Sequence, residues 1–218
     1  MLGVLPKMSS LNAGPHVLQI ITLPHRPTQT LAEIDSDLAP SFSILLESPG
    51  LLGAWQGRRH EDLYTYIYVL LWTDLSASHA FFTSPRYADF HHLIQPALQG
   101  RRITWQQHAL VGQWDLSDMA HFKSIIGSPC IEIALTKVIE GGVAGYYERF
   151  RHTVSKILDR DPGCEGWWIS PLIENPQDQI LLINWKSVQA SAQSLPSSRG
   201  RGHLLYSQSM PCSLASAD

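Results

Sequence analysis

The sequence predicts an α+β fold made of two copies of one β-α-β-β-α-β unit, and three observations lead to this prediction. The chain is similar to itself when one half is shifted onto the other. Both similar segments show the same order of strand-like and helix-like stretches. The composition has 44% hydrophobic and only 16% charged residues, whereas about 25% charged residues is usual for a globular protein. A chain of this kind has enough apolar surface to bury a core and is not expected to be disordered.

The internal similarity aligns residues 17–78 with residues 130–191 without a gap. Twelve of these 62 positions are identical, and two of the identities are tryptophans, Trp55 with Trp168 and Trp72 with Trp185. Four of the identities fall within one block of seven residues, 49–55 aligned with 162–168. Because tryptophan is rare and the identities are clustered, we interpret the similarity as a true repeat.

The sequence predicts the same order of strands and helices in each copy. In the first copy the β-branched and apolar stretches predict strands at 17–23, around Trp55, at 63–72 and at 103–110, and a helix over 30–47 with a kink at Pro40. In the second copy they predict strands at 130–138, around Trp168, at 179–185 and at 203–210, and a helix over 143–159. Further helical sequence follows the third strand of each copy. This order is that of the ferredoxin-like split βαβ unit.

The predicted organisation has five parts: a tail at 1–14, the first ferredoxin-like repeat at 15–112, a linker at 113–129, the second repeat at 130–210 and a tail at 211–218. The repeats differ after their third strands. In the first, 31 residues separate Trp72 from the fourth strand, which is enough for two helices, but only 18 separate Trp185 from His203. The second repeat is therefore expected to have a smaller helical layer and a smaller or more open pocket.

Composition and motifs exclude several classes of function. The net charge of −3 and the absence of any basic run longer than a pair argue against nucleic-acid binding, and no apolar stretch is long enough to predict a membrane helix. Three widely spaced cysteines, Cys130, Cys164 and Cys212, are typical of reduced thiols, and a cytoplasmic location is expected. No motif for a metal, another cofactor or a Gly-x-Ser-x-Gly nucleophile is present, so we expect no cofactor and find little support for nucleophilic catalysis.

The third strand of the first repeat carries three phenols on one face. By the two-residue alternation of a strand, Tyr64, Tyr66 and Tyr68 share that face with Leu70 and Trp72. The opposite face is also apolar, which predicts a strand covered on both sides. Two interpretations stay open: an aromatic core whose hydroxyls bond to backbone, or a pocket for a planar ligand. The second repeat has Gln177, Gln179 and Leu181 at the same places, and this favours a ligand site in the first repeat.

Histidines supply candidate acids and bases. His79, His91 and His92 lie on the helical segment that follows this strand, and His25 ends the first strand. An unperturbed imidazole titrates near neutral pH and suits proton transfer. For each of them, a surface or hydrogen-bonded residue is the alternative interpretation. His91 and His92 diverge by about 100° on a helix, so they cannot both face one ligand.

The order of these motifs resembles the dimeric α+β barrel superfamily. The resemblance rests on Trp-x-Asp or Trp-x-Ser after the third strand and on Phe-x-x-Ser-Pro-x-Tyr-x-x-Phe over 81–90. Branches of that superfamily include antibiotic-biosynthesis monooxygenases, stress-responsive barrel proteins and olivetolic acid cyclase-like enzymes. The resemblance implies that the antiparallel sheets of the two repeats pair into an α+β barrel, which would make this chain a pseudo-dimeric monomer; a homodimer is the other possibility.

The resemblance also implies site residues. The active-site histidine of the cyclase branch falls on Tyr66, its helical catalytic histidine falls on Tyr87 and its catalytic tyrosine falls on Phe81. We therefore expect a pocket in the same place with different chemistry. The candidate catalytic residues are Tyr66, Tyr87, His79 and His92, and the candidate substrate-binding residues are His25, Tyr64, Tyr68, Trp72, Phe81 and Phe82.

The function expected from these features is a cofactor-independent cyclase or isomerase in specialised metabolism, acting on a hydrophobic, aromatic, polyketide-like small molecule. Two alternatives remain open. One is a cofactor-free monooxygenase of quinols or anthrones, in which Trp72 and a histidine would matter most. The other is a non-catalytic, small-molecule-binding protein of the stress-responsive type. Oxygen consumption during turnover would distinguish the first two functions.

Overall fold

The first repeat has the predicted order of elements. The computed structural model describes residues 16–25, 28–103, 105–111, 119–194 and 203–208. The elements of the first repeat are β1 (His16–Pro24), α1 (Leu31–Leu46), β2 (Leu51–Arg59), β3 (Thr65–Trp72), α2 (Leu75–Phe82), α3 (Pro85–Leu98) and β4 (Trp105–Val111). Helix α1 begins with a capping box between Thr30 and Glu33 and continues through Pro40 to Leu46. The two helices expected between the third and fourth strands are α2 and α3.

The second repeat repeats this order with a smaller helical layer. Its elements are β5 (Cys130–Lys137), α5 (Val143–Arg149), α6 (Ser155–Arg160), β6 (Cys164–Pro171), β7 (Asp178–Trp185), α7 (Val188–Ser194) and β8 (His203–Gln208). The helix expected over 143–159 is interrupted by a π-helical turn at Phe150–Val154, which joins α5 to α6. The predicted tails 1–14 and 211–218, with Cys212, lie outside the described residues.

The segment expected to be a plain linker contains a helix. Helix α4 (Met119–Ile126) precedes β5 and buries Phe122, Ile125 and Ile126. The predicted linker 113–129 therefore contains helix α4, which the sequence did not predict. The cause is that the apolar residues at 122, 125 and 126 follow helical spacing over only two turns, which is a weak signal in sequence.

The strands form one eight-stranded antiparallel sheet in the order β4-β1-β3-β2-β8-β5-β7-β6. The two repeats join where β2 pairs with β8, at residues such as Arg58 opposite Ser207. The outer edges of the sheet also meet. Ala109 of β4 forms an antiparallel bridge with Leu172, directly after β6, and the Ile173 N–H donates to the His108 carbonyl over 2.8 Å.

Three apolar cores lie on the two faces of this sheet. One lies between the first repeat's strands and α1 to α3, and a second lies between the second repeat's strands and α5 to α6. The third combines both repeats with α4, and it includes Ile20, Val69, Phe122, Ile133 and Trp168. Each repeat therefore buries one sheet face against its own helices and the other face against the other repeat.

The identical residues of the two repeats serve the same structural purposes. A Cβ atom at Gly50 would lie 2.6 Å from the Ala77 Cβ, and one at Gly163 would lie 2.7 Å from the Ala190 Cβ. In both second strands the pairing register shifts just before the second glycine of the block. The shift lies between Leu51 and Gly53 in β2 and between Cys164 and Gly166 in β6. The conserved block thus encodes a tight turn followed by a bulge.

Candidate active site

The tyrosines of β3 face the helices of the first repeat. All eight residues of β3 are buried, and Tyr66, Tyr68, Leu70 and Trp72 belong to the core under α1 and α3, with half-buried Tyr64 packed against it. The other face of the strand, with Ile67 and Val69, belongs to the core shared by the two repeats. The expected division of the strand into two buried faces is confirmed.

The Tyr66 hydroxyl lies between a carboxylate and a guanidinium. It donates to Asp35 of α1 and accepts a hydrogen bond from the Nε of Arg58 over 2.6 Å. Arg58 also pairs with Asp35 and donates to the Leu31 carbonyl over 3.2 Å. Burial, together with the hydrogen bond to Asp35, raises the pKa of Tyr66 although Arg58 opposes this shift. Tyr66 is therefore a neutral phenol at physiological pH.

His25 is the buried imidazole of this cluster. Only 1% of its surface is exposed, and its ring stands edge-on to Tyr66 with 4.9 Å between the centroids. Its Nδ1 lies 2.9 Å from the Ala97 carbonyl oxygen. Since a carbonyl only accepts, Nδ1 carries the proton and Nε2 of the neutral ring carries the lone pair. Burial, supported by the charges of Arg101 and Arg58, lowers the pKa of His25.

Two buried polar atoms of this region have no hydrogen-bond partner among the described residues: Nε2 of His25 and the hydroxyl of Tyr68. The hydroxyl of Ser41, next to Tyr68, donates instead to the Leu38 carbonyl over 2.7 Å. A buried polar atom without a partner costs about 1–3 kcal/mol, so such atoms are rare in folded proteins unless they serve a ligand, a water molecule or a reaction. We define the polar pocket as His25, Asp35, Arg58, Tyr66 and Tyr68.

Tyr87 belongs to a separate aromatic cluster. Its ring lies 4.9 Å from Phe82, 5.8 Å from Phe81 and 6.0 Å from Phe90. Phe81 in turn lies 5.6 Å from Trp72. Ser84 caps α3 as expected and thereby sets the position of Tyr87. Tyr66 and Tyr87 pack in the same helical layer, but no ring contact joins them among the described residues. That the two phenols act on one ligand stays a prediction.

The other predicted histidines lie at the surface. His79 on α2 and His92 on α3 are exposed. The ring of His79 lies 6.3 Å edge-on from His108, and the imidazole nearest to Tyr87 is His91, with 5.9 Å between the centroids. Activation of Tyr87 by His79 or His92 is therefore not supported by a contact in the structure.

Sequence reasoning missed Asp35 and Arg58. Asp35 lies 31 residues from Tyr66 in the sequence and Arg58 lies 8 residues away. Each looks like an ordinary surface charge of a helix or of a strand end. The one available signal was the strand alternation, because Arg58 shares the helix-facing side of β2 with Gln56, while the neighbouring Gly57 faces the other way. The pairing of β2 with β3 then places Arg58 directly opposite Tyr66.

The described residues contain no group of three or more His, Cys, Asp or Glu that could hold a metal ion. None of the helices that the structure describes combines the length and the hydrophobicity needed to cross a membrane.

Comparison with known proteins identifies the fold. No protein-family model matches the sequence, and no curated protein is significantly similar to it. Among solved structures, a proposed monooxygenase from Fusobacterium nucleatum matches with a TM-score of 0.60 and 11% identity, covering 89% of this chain and 92% of that one. A proposed monooxygenase from Lactobacillus acidophilus gives 0.54 and 10%, with 88% and 93% covered. The proposed chlorite dismutase TA0507 gives 0.59 and 8%, with 89% and 94% covered. At these identities the likeness shows the fold alone: the chain has the α+β ferredoxin-like fold of these structures, with two repeats in one chain.

Proposed function

We propose that this protein is a cofactor-free enzyme that cyclises or isomerises a planar, aromatic, polyketide-like small molecule by moving a proton within the polar pocket. The observation that carries the proposal is His25, a buried imidazole whose Nε2 lone pair has no partner among the described residues. Its lowered pKa keeps the imidazole neutral near pH 7, so it can accept a proton. The second repeat has Val138 at this place, which shows that the fold does not require a histidine there.

In this mechanism His25 acts as the base. Its Nε2 takes a proton from a carbon or hydroxyl next to a carbonyl group of the substrate, and the ring becomes an imidazolium held at Nδ1 by Ala97. The developing oxyanion is stabilised by Arg58 and by the hydroxyl of Tyr66 once it turns from Asp35. The imidazolium then returns the proton to another atom of the product, so atoms and charges balance without a cofactor. Fixed orientation alone contributes several kcal/mol to such intramolecular reactions.

The polar atoms of the pocket and the rings around them favour an aromatic ligand. The walls next to the polar pocket are aromatic, with Phe42 packed on Tyr68 at 5.5 Å and His25 packed on Tyr66. A planar apolar body with one or two oxygen atoms fits such walls, because the oxygens meet the few polar groups and the rings meet the apolar ones. Further along the sheet, the same apolar core includes four more aromatic residues: Trp72, Phe81, Phe82 and Tyr87.

The test compares turnover by the wild-type enzyme with turnover by His25→Gln and Tyr66→Phe. The substrates are a linear poly-β-keto thioester and 1,8-dihydroxyanthrone, with products followed by chromatography and dissolved oxygen followed by an electrode. We expect product from the thioester without oxygen uptake and a loss of at least about 100-fold in His25→Gln. Tyr147→Phe is the matched control. Tyr147 is a buried tyrosine of the second repeat, and its hydroxyl donates to Gln179, the residue that aligns with Tyr66. Binding without any product would overturn the proposal in favour of a non-catalytic binder.

The alternative function is a cofactor-free monooxygenase, and the names of the two similar solved structures favour it. The same deprotonation by His25 would give an electron-rich anthrone anion. That anion, O₂ and the proton returned by the His25 imidazolium yield the anthraquinone and one water, so the substrate supplies all four electrons that reduce O₂. Oxygen uptake equal to product formed, lost in His25→Gln, would establish this function instead.

A further inference from the structure

A second polar cluster lies under α2, where the two repeats meet, with Ser78 and His108 buried and Glu174 at the surface. The Nδ1 of His108 lies 2.5 Å from Glu174, and its Nε2 lies 3.3 Å from the hydroxyl of Ser78. Ser78 comes from α2, His108 from β4 and Glu174 from the segment after β6 of the second repeat. We propose that these three residues form the nucleophile, base and orienting acid of a second site, which cleaves esters or thioesters of small apolar acids.

The hydrogen bonds fix the roles of the three side chains. Glu174 accepts from the Nδ1 of His108 and from its backbone N–H, over 3.0 and 3.2 Å to the two carboxylate oxygens. Burial raises the pKa of Glu174, but the hydrogen bonds from His108 and from the backbone N–H of Glu174 itself outweigh burial and leave the pKa lowered, so the carboxylate stays ionised. With the proton on Nδ1, Nε2 carries the lone pair and accepts from Ser78 when the single proton of this hydroxyl points to His108 and not to Oε1 of Gln19, 3.5 Å away. This is the arrangement that activates a serine nucleophile.

Gln19 supplies a donor for the oxyanion. It lies directly opposite His108 on the neighbouring strand β1, and its Oε1 accepts from the indole N–H of Trp72 over 2.8 Å. Because the indole only donates, this bond fixes the amide orientation and makes the other atom, Nε2, the donor. Gln19 is 0% exposed, and its Nε2 has no acceptor among the described residues. Such a preorganised donor beside the nucleophile is what a tetrahedral intermediate needs.

Chain neighbours of the cluster line an apolar cavity of about 390 Å³. Its lining includes Leu75, one helical turn before Ser78, Leu110, two residues after His108 on the same strand face, and Ile173, next to Glu174. The chain neighbours of all three proposed residues therefore line one cavity. This lining is almost wholly aliphatic, which favours an aliphatic acyl group over a charged or aromatic one.

The reaction balances within this set. The Ser78 oxygen attacks the carbonyl carbon of the ester, and its proton passes to Nε2 of His108. The bond from carbon to the alcohol oxygen or thiol sulfur breaks, and the leaving group takes that proton from His108. Water then attacks the acyl-serine, gives its proton to His108 and releases the acid, and the proton returns to Ser78.

The second repeat provides an internal control. Trp185 donates to Glu132 over 2.9 Å, and Ser191 donates to the same carboxylate over 3.1 Å, as Trp72 and Ser78 bond to Gln19. However, Leu205 lies opposite Glu132, where the first repeat has His108. The tryptophan and serine are thus part of the fold in both repeats. Only the place in the first repeat also has a histidine, His108, whose carboxylate partner Glu174 comes from the second repeat.

The experiment is covalent labelling of the full-length protein with an alkyl fluorophosphonate, followed by peptide mass spectrometry, together with hydrolysis of p-nitrophenyl butyrate. We expect one adduct per chain on Ser78, no adduct in Ser78→Ala, and labelling and hydrolysis at least about 100-fold slower in His108→Asn. Ser191→Ala should label like the wild type, and so should His25→Gln, since the polar pocket lies about 20 Å away along β1. A folded wild-type protein that gives no adduct, or an adduct at another serine, overturns the proposal. Because mapping is done on the wild type, this result stands even if a variant fails to fold, and it does not depend on the proposed cyclase function.

Discussion

The two repeats share a backbone but not their chemistry. The glycine turn, the bulge, the buried tryptophan and the serine after it occur at equivalent places and make equivalent contacts. Most of the ionisable residues of the two proposed sites do not repeat, although Glu174 is identical to the aligned Glu61. His25, Arg58 and Tyr66 correspond to Val138, Pro171 and Gln179 in the aligned sequence, and His108 corresponds to Leu205 in the strand register. In a duplicated chain, a polar residue present in only one copy therefore marks a candidate for function.

The largest expected effect concerns the shared framework. Trp72→Ala and Trp185→Ala each remove a fully buried indole that bonds to Gln19 or Glu132. Each substitution should lower the free energy of unfolding by about 3–5 kcal/mol, because a large cavity forms and a buried acceptor loses its donor. Urea unfolding followed by circular dichroism measures this. The two losses should be similar, and a tolerated substitution in one repeat would show that its tryptophan is not part of a common framework.

The glycine turns sharpen the comparison. Gly50 has a φ of +79° and Gly163 does not have a positive φ, although both lie against an alanine of the following helix. Gly50→Ala and Gly163→Ala should both destabilise the protein by forcing the methyl groups apart. Gly50→Ala should cost about 1–2 kcal/mol more, since only there does alanine adopt the left-handed region. Equal losses in urea unfolding would mean that steric overlap dominates and the backbone angle does not matter.

The fold was accessible from the sequence because the repeat and the hydrophobic patterns are local or periodic. The strands around Trp55 and Trp168 lie where the repeat predicts them, and β3 is buried on both faces as its alternation indicates. The polar pocket was only half accessible. Tyr66 and His25 were visible as polar residues in apolar strands, but their partner Asp35 is one of several acidic residues on α1. A contact between α1, β2 and β3 depends on how the helix packs, which no spacing in the chain records. For the same reason the contact of Glu174 with His108, 66 residues apart, has no sequence signal.

A smaller effect is expected from the carboxylate of the polar pocket. Asp35→Ala removes the acceptor of Tyr66 and the partner of Arg58, whose side chain is only 15% exposed. The loss in unfolding free energy should be about 1–2 kcal/mol, less than for a buried pair because the Asp35 side chain is 43% exposed. The aligned residue of the second repeat, Glu148, is exposed, and Glu148→Ala should change stability by no more than about 0.5 kcal/mol. Equal effects of the two substitutions would mean that the Asp35 contacts add no stability.

The smallest expected effect is a difference in pH dependence between His25 and its counterpart. His25→Val gives the first repeat the residue that the second repeat has at this place. In the folded protein the pKa of His25 lies below its ordinary value of 6.5, because burial and the nearby Arg101 and Arg58 disfavour the imidazolium, while Ala97 and Asp35 favour it. In the unfolded chain the ring titrates near 6.5. Below that pH the unfolded state therefore binds more protons than the folded state, and acidification destabilises the fold.

The wild type should lose more unfolding free energy than His25→Val between pH 7.5 and 5, with a difference in proton uptake of less than one proton per chain. Urea unfolding at intervals of half a pH unit measures this, and the range stays above the ordinary pKa of 4.5 for Glu174, whose lowered pKa affects stability only at lower pH. Parallel curves for the two proteins would mean that His25 titrates alike in both states, and its Nε2 would then not be the neutral, desolvated base on which the proposed function rests.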